Sequence, residues 1–127
     1  DACRDGGTQY LQDGVKSAQV YGMLKEKVDL SRKTLIYVAS PGQLQVVYQA
    51  IRNYPDYMGL FPDTLGLVGF DVEGWTRMTT PAISAIITPA YQEGVRAMEE
   101  LADILDGKKT DGEVVFKNIV KWRETTL

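Results

Sequence analysis

The chain has 127 residues, the size of one domain or of a large piece of one. With 44% hydrophobic and 24% charged residues it can bury a core, and it is too apolar to be disordered. Fourteen basic against seventeen acidic residues give a net charge of −3, so the chain carries no basic footprint for nucleic acid. Histidine is absent, which excludes an imidazole triad, a His-ligated metal and a His pH switch. The single cysteine, Cys3, excludes an internal disulfide and a multi-cysteine zinc site, and one free thiol fits a reducing cytosol. No apolar run approaches the ~18 residues of a membrane span, and no signal peptide is visible. The polar start without Met leads to the expectation of a piece of a longer protein.

In chain order, the first expected element is a helix over residues 8–28. Leu11, Val15, Ala18, Tyr21, Leu24 and Val28 recur there at steps of three and four, with Gly14 and Gly22 as weak points. Residues 34–39 (TLIYVA) form a short β-branched run suited to a strand buried on both faces. Ser40-Pro41 is a natural N-cap and first-turn pair, and Leu44, Val47, Tyr48 and Ile51 predict a helix over 43–53. After a connection with two prolines, residues 65–70 (LGLVGF) read as a second strand tipped by Asp71. A loop over 72–81 carries an exposed-looking Trp75, and residues 83–87 read as a third strand.

The run from Ala90 to Asp106 has a wide apolar stripe through Val95, Ala97, Met98, Leu101, Ala102, Ile104 and Leu105, which predicts a largely buried helix. Turns at Asp106-Gly107 and Asp111-Gly112 lead to a last expected strand over 113–123. Alternation of this kind implies an α/β fold with a parallel sheet.

Ligands of open α/β sheets bind beyond the carboxyl ends of the strands, which singles out Ser40 and Asp71. A carboxylate at a strand tip can accept two hydrogen bonds from adjacent hydroxyls, the geometry a sugar offers. Asp71 reads equally as a solvated loop residue or a helix cap, and Ser40 as a plain N-cap. Met58, Met78 and Met98 read as packing residues, and Glu99, Glu100 and Asp103 as a solvated helix face. There is no phosphate loop, nucleophile elbow or catalytic carboxylate pair, so no enzyme activity, metal or cofactor is expected.

Three stretches resemble the effector-binding core of the lactose-repressor (LacI/GalR) family of transcription regulators. They are TLIYVASPGQLQVVYQAI (34–51), FPDTLGLVGFDVEGWTRMTTPAISAIITPAYQEGVRAMEEL (61–101) and VVFKNIVKWRETTL (114–127). The second carries the "VGFD" strand and the Pro-x-Tyr-x-x-Gly helix in the family's order, and the third its "R-x-(S/T)-T" ending. The resemblance implies a type I periplasmic-binding-protein-like fold, two α/β subdomains that clamp a small ligand. Residues 1–73 and 118–127 would belong to the C-terminal subdomain, and 74–117 would cross to the N-terminal one, with hinges near Gly74 and Asn118. The DNA-binding headpiece lies outside this chain.

By the same resemblance, Asp71 falls on the family's effector-binding aspartate and Ser40 on a position often held by a ligand-contacting Asn or Thr. Gln9 or Tyr10 lies where an aromatic often stacks on the ligand, and Thr88 and Ala90 sit at the cleft edge. Ser40, Pro41 and Ala90 depart from the common residues and remove amide and aromatic contacts. The dimer interface would take Gln45, Tyr48 and Arg52 from one helix and Trp75 and Met78 from the following loop. The implied function is sensing of a sugar or sugar phosphate by a cytoplasmic homodimeric regulator, which meets operator DNA only through the headpiece. The alternative is a periplasmic or secreted sugar-binding protein of a transporter.

Overall fold

The computed structural model describes residues 16–72, 74–110 and 112–127. Its elements run α1 (Ser17–Lys27), β1 (Thr34–Val38), α2 (Pro41–Ile51), α3 (Tyr57–Leu60), β2 (Leu65–Asp71), a 3₁₀ turn (Trp75–Met78), β3 (Ser84–Ile87), α4 (Ala90–Leu105) and β4 (Ile119–Lys121). The four strands form one sheet in sequential order; β1, β2 and β3 are parallel, and β4 is antiparallel to β3. The mixed α/β class with a mostly parallel sheet agrees with the sequence.

Helix α1 begins where Gln19 reaches back to accept the Lys16 N–H at 3.0 Å. The expected start at residue 8 lies outside the described residues. Helix α2 begins at Pro41, two residues earlier than its apolar stripe suggests, because proline's fixed φ already suits the first turn. Leu44, Val47, Tyr48 and Ile51 face inward as the spacing predicts. They meet Val20 and Leu24 of α1 and Leu65 and Leu67 of β2 in the core. Gly69 is required there: a Cβ would stand 2.8 Å from the Leu44 side chain and 3.0 Å from the Val38 carbonyl.

Three expectations are corrected. Strand β1 is not buried on both faces, since Leu35 and Tyr37 are 58% and 54% exposed. Helix α2 packs on one face of β1 and β2, with α1 against α2, and the exposed Leu35 and Tyr37 lie on the other face. Helix α4 forms where its stripe predicts, yet it buries no residue: Met98, Leu101, Ile104 and Leu105 are all exposed. The last strand has three residues rather than eleven and runs antiparallel to β3. Ile119 pairs with Ile87, so the segment 88–118 leaves and re-enters the sheet at one pair of residues. Thr76 and Ile83, which precede that segment, are fully buried.

Candidate functional site

The carboxyl ends of β1, β2 and β3 lie along one edge of the sheet. Val38 is level with Gly69, so the register carried two residues further sets Ser40 level with Asp71. Asp71 is in turn level with Ile87, one residue before Thr88. The structure thus brings Ser40, Asp71 and Thr88 to one edge. Ser40 is exposed and makes no side-chain capping bond. Thr88 is half-buried and Ala90 exposed. Gln9 and Tyr10 lie outside the described residues.

Asp71 is turned inward and is 1% exposed. One carboxylate oxygen accepts the Gly74 N–H at 2.7 Å. The other accepts the Thr76 N–H at 3.1 Å and the Thr76 hydroxyl. Gly74 adopts φ +80°, a conformation that favours glycine, and this lets the chain curl back over the strand tip. Asp71 therefore organises the loop that follows it. This network reaches residues the sequence reading missed. Arg123, just past β4, donates from Nη1 to the Thr76 hydroxyl at 2.8 Å and to the Ile83 carbonyl at 2.6 Å. The "R-x-(S/T)-T" ending was a signal for Arg123, but nothing local pointed to Thr76.

The residues expected at a dimer interface divide into two groups. Gln45, Arg52 and Met78 are exposed, Met78 by 73%. Tyr48 is instead buried. Its hydroxyl donates to the Thr80 carbonyl at 3.0 Å, and its ring lies 6.4 Å from that of Trp75. Burial pushes the Tyr48 hydroxyl above the ordinary tyrosine range. Trp75, read as exposed, is half-buried against the core. Loop 75–80 is thus pinned to α2 from inside, while Met78 projects outward beside it.

Among the described residues, no group of His, Cys, Asp and Glu could hold a metal ion, and no helix is long and apolar enough to cross a membrane. An open groove of about 650 Å³ runs between α4 and residues 112–116; Ser40, Asp71 and Thr88 do not line it, and Arg96 on its wall is engaged by Glu100.

No protein-family model matches the sequence, and no curated protein sequence does. Solved structures match the fold. The chain is similar to the Escherichia coli transcriptional repressor AscG, with a TM-score of 0.66, 18% identity, and coverage of 88% of this chain and 40% of that one. It is also similar to the transcription regulator CcpA of Lactococcus lactis, with a TM-score of 0.65, 16% identity, and coverage of 90% and 41%. A periplasmic binding protein/LacI transcriptional regulator of Alkaliphilus metalliredigens, complexed with D-xylulofuranose, matches with a TM-score of 0.61, 22% identity, and coverage of 73% and 34%. The fold is thus that of LacI-type regulator domains, in agreement with the resemblance carried by the sequence. The chain spans between 34% and 41% of the length of these three structures.

Proposed function

We propose that the chain is the effector-sensing and dimerising part of a LacI-type transcription regulator in the cytoplasm, with a sugar or sugar phosphate as effector. The convergence of Ser40, Asp71 and Thr88 on one strand-tip edge carries this reading, because ligands of open α/β folds bind at such edges. Two neighbours of the same fold support the ligand class: one is complexed with D-xylulofuranose and another with phosphate. The Ser40 and Thr88 hydroxyls each donate and accept, which suits a polyhydroxyl ligand. Asp71 holds the loop beside them and fixes the floor of the site. In this reading the crossover segment lies in the opposing subdomain, so ligand between the two biases closure, and linkage carries that bias to DNA affinity in a headpiece outside this chain. The homodimer contact uses Gln45, Arg52 and Met78 on the outer face of α2 and its neighbouring loop.

The test is thermal unfolding of the protein in the presence of pentoses, hexoses and their phosphates, D-xylulose included. A ligand at 100 times its Kd stabilises by about 2.7 kcal/mol, a shift of several degrees. Ser40→Ala and Thr88→Val are each expected to weaken the stabilising sugar by roughly 3- to 10-fold, one hydrogen bond's worth. No stabilisation by any member of the panel, or full affinity in both variants, rejects the site.

A further inference from the structure

Arg123, Thr76 and Asp71 form a chain of hydrogen bonds with a fixed direction. A guanidinium only donates, and a threonine hydroxyl has one proton to give. The Thr76 oxygen accepts from Arg123 Nη1, so its own proton is turned to the Asp71 carboxylate. Thr76 is fully buried, and water does not compete for either bond. Arg123 is held from three sides. Its Nη1 also binds the Ile83 carbonyl, its backbone N–H donates to the Ser84 hydroxyl at 2.7 Å, and the chain before it is β4. All three residues of β4 are exposed, and the strand pairs with β3 alone.

We propose that Arg123 is a positioning residue for the strand-tip site: through Thr76 it fixes the Asp71 carboxylate and makes its orientation depend on how β4 is seated. The segment 88–118 re-enters the fold through β4, so a displacement of that segment reaches Arg123 within a few residues. It arrives at Asp71 across two hydrogen bonds. The proposal deepens the effector-sensing reading and rests on it for its purpose, since it gives subdomain movement a route to the site. Its mechanical content stands apart from any ligand.

The test therefore reads the loop directly, by amide hydrogen exchange in the full chain. The reporters are the Gly74 and Thr76 amides, which donate to Asp71, and the reference is the Thr34 amide at the start of β1, which donates to the Thr64 carbonyl at 2.9 Å, far from β4 in the strand order. Arg123→Met and Thr76→Val are each expected to speed exchange at the two reporters by roughly tenfold more than at the reference. The double variant should add nothing to Thr76→Val alone, and Thr76→Ser should restore the protected loop. If Arg123→Met does not fold, Arg123→Lys, which keeps the charge but whose shorter side chain leaves its nitrogen short of the Nη1 position, replaces it with the same expectation. Ile119→Pro and Val120→Pro test the dependence on β4, because one of two adjacent amides in a ladder faces the partner strand. The one that unseats β4 should release Gly74 and Thr76 without touching them. Equal acceleration at reporters and reference, additivity in the double variant, or silence of the reporters in both proline variants overturns the proposal. Failure of the sugar panel with this pattern intact would reject the effector reading and leave the relay standing.

Discussion

Thr125 and Leu67 are bonded to each other twice. The Leu67 N–H donates to the Thr125 carbonyl at 3.2 Å, and the Thr125 hydroxyl donates to the Leu67 carbonyl at 2.7 Å. The same hydroxyl accepts the Ser84 N–H at 2.9 Å, and the Thr125 N–H donates to the Ala82 carbonyl at 3.2 Å. Thr125 thus fills the gap between β2 and the entry to β3, where the two strands have not yet met. A side chain there must give one hydrogen bond and take another, which a threonine hydroxyl does.

Replacing that hydroxyl by a methyl group leaves the Leu67 carbonyl and the Ser84 N–H buried without partners. Thr125→Val is expected to cost about 2–4 kcal/mol, and Thr125→Ser less than about 1.5 kcal/mol. Urea unfolding midpoints measure both. Equal stability of Val and wild type would show that water reaches the gap.

Tyr48 and Tyr57 donate to the same acceptor, the Thr80 carbonyl, at 3.0 and 3.2 Å. Either one satisfies it. Tyr48→Phe and Tyr57→Phe should therefore each cost about 1 kcal/mol or less, and the double variant more than their sum. Strict additivity in a double-mutant cycle would mean that the two bonds are independent.

The Tyr54 hydroxyl is buried and finds no partner among the described residues, while its ring packs edge-on against Tyr21 at 5.1 Å. Burial pushes its ionisation above the ordinary tyrosine value, so the neutral form is the one folded with the protein. The associated stability is present below about pH 10, the unfolded tyrosine value, and is lost as pH rises beyond it. Tyr54→Phe should keep the ring contact, change stability at neutral pH by no more than about 0.5 kcal/mol, and lessen the loss between pH 10 and 11. Unfolding free energies across that range decide it.

Two glycines of β2 are expected to respond differently to alanine. At Gly69 the new methyl meets the buried Leu44 and the Val38 carbonyl, neither free to move. Gly69→Ala should cost about 1–3 kcal/mol through overpacking. At Gly66 the close atom, at 2.8 Å, is the end of the exposed Leu35 side chain, which can turn away, so Gly66→Ala should cost less than about 1 kcal/mol.

Met78→Asp is the substitution that tests the proposed dimer contact, since Met78 is 73% exposed and its loss leaves the core intact. It is expected to convert a dimer to monomer in sedimentation at micromolar concentration, because an unpaired charge would be buried in the contact. Tyr48→Asp is the wrong tool, since it would unfold the packing of α2. Monomeric wild type would reject the interface.

The helical stripe of α2 and the strand ending in Asp71 were legible because local spacing alone sets which side chains share a face. The burial of α4 was not. Val95, Met98 and Leu101 show that one face suits a cover, and nothing in their spacing says whether a cover is present. Residues 113–116 have strand composition but no strand partner, so they form none. Asp71 stood out as a strand tip, yet its role as loop organiser depends on Thr76 in the turn beyond. Thr76 in turn depends on Arg123, 47 residues away, a distance no periodicity spans.

The departure and return of the chain at Ile87 and Ile119 makes the crossover an insertion in the sense of an editor's parenthesis. Those two residues face each other across an antiparallel ladder, the geometry of a β-hairpin's closing pair. Residues 88–118 can then be excised and replaced by a tight Asn-Gly turn, leaving the body closed on itself and its C-terminal residues in place. A helix could be lengthened, shortened or exchanged within that parenthesis while the sheet is read through without a change of register.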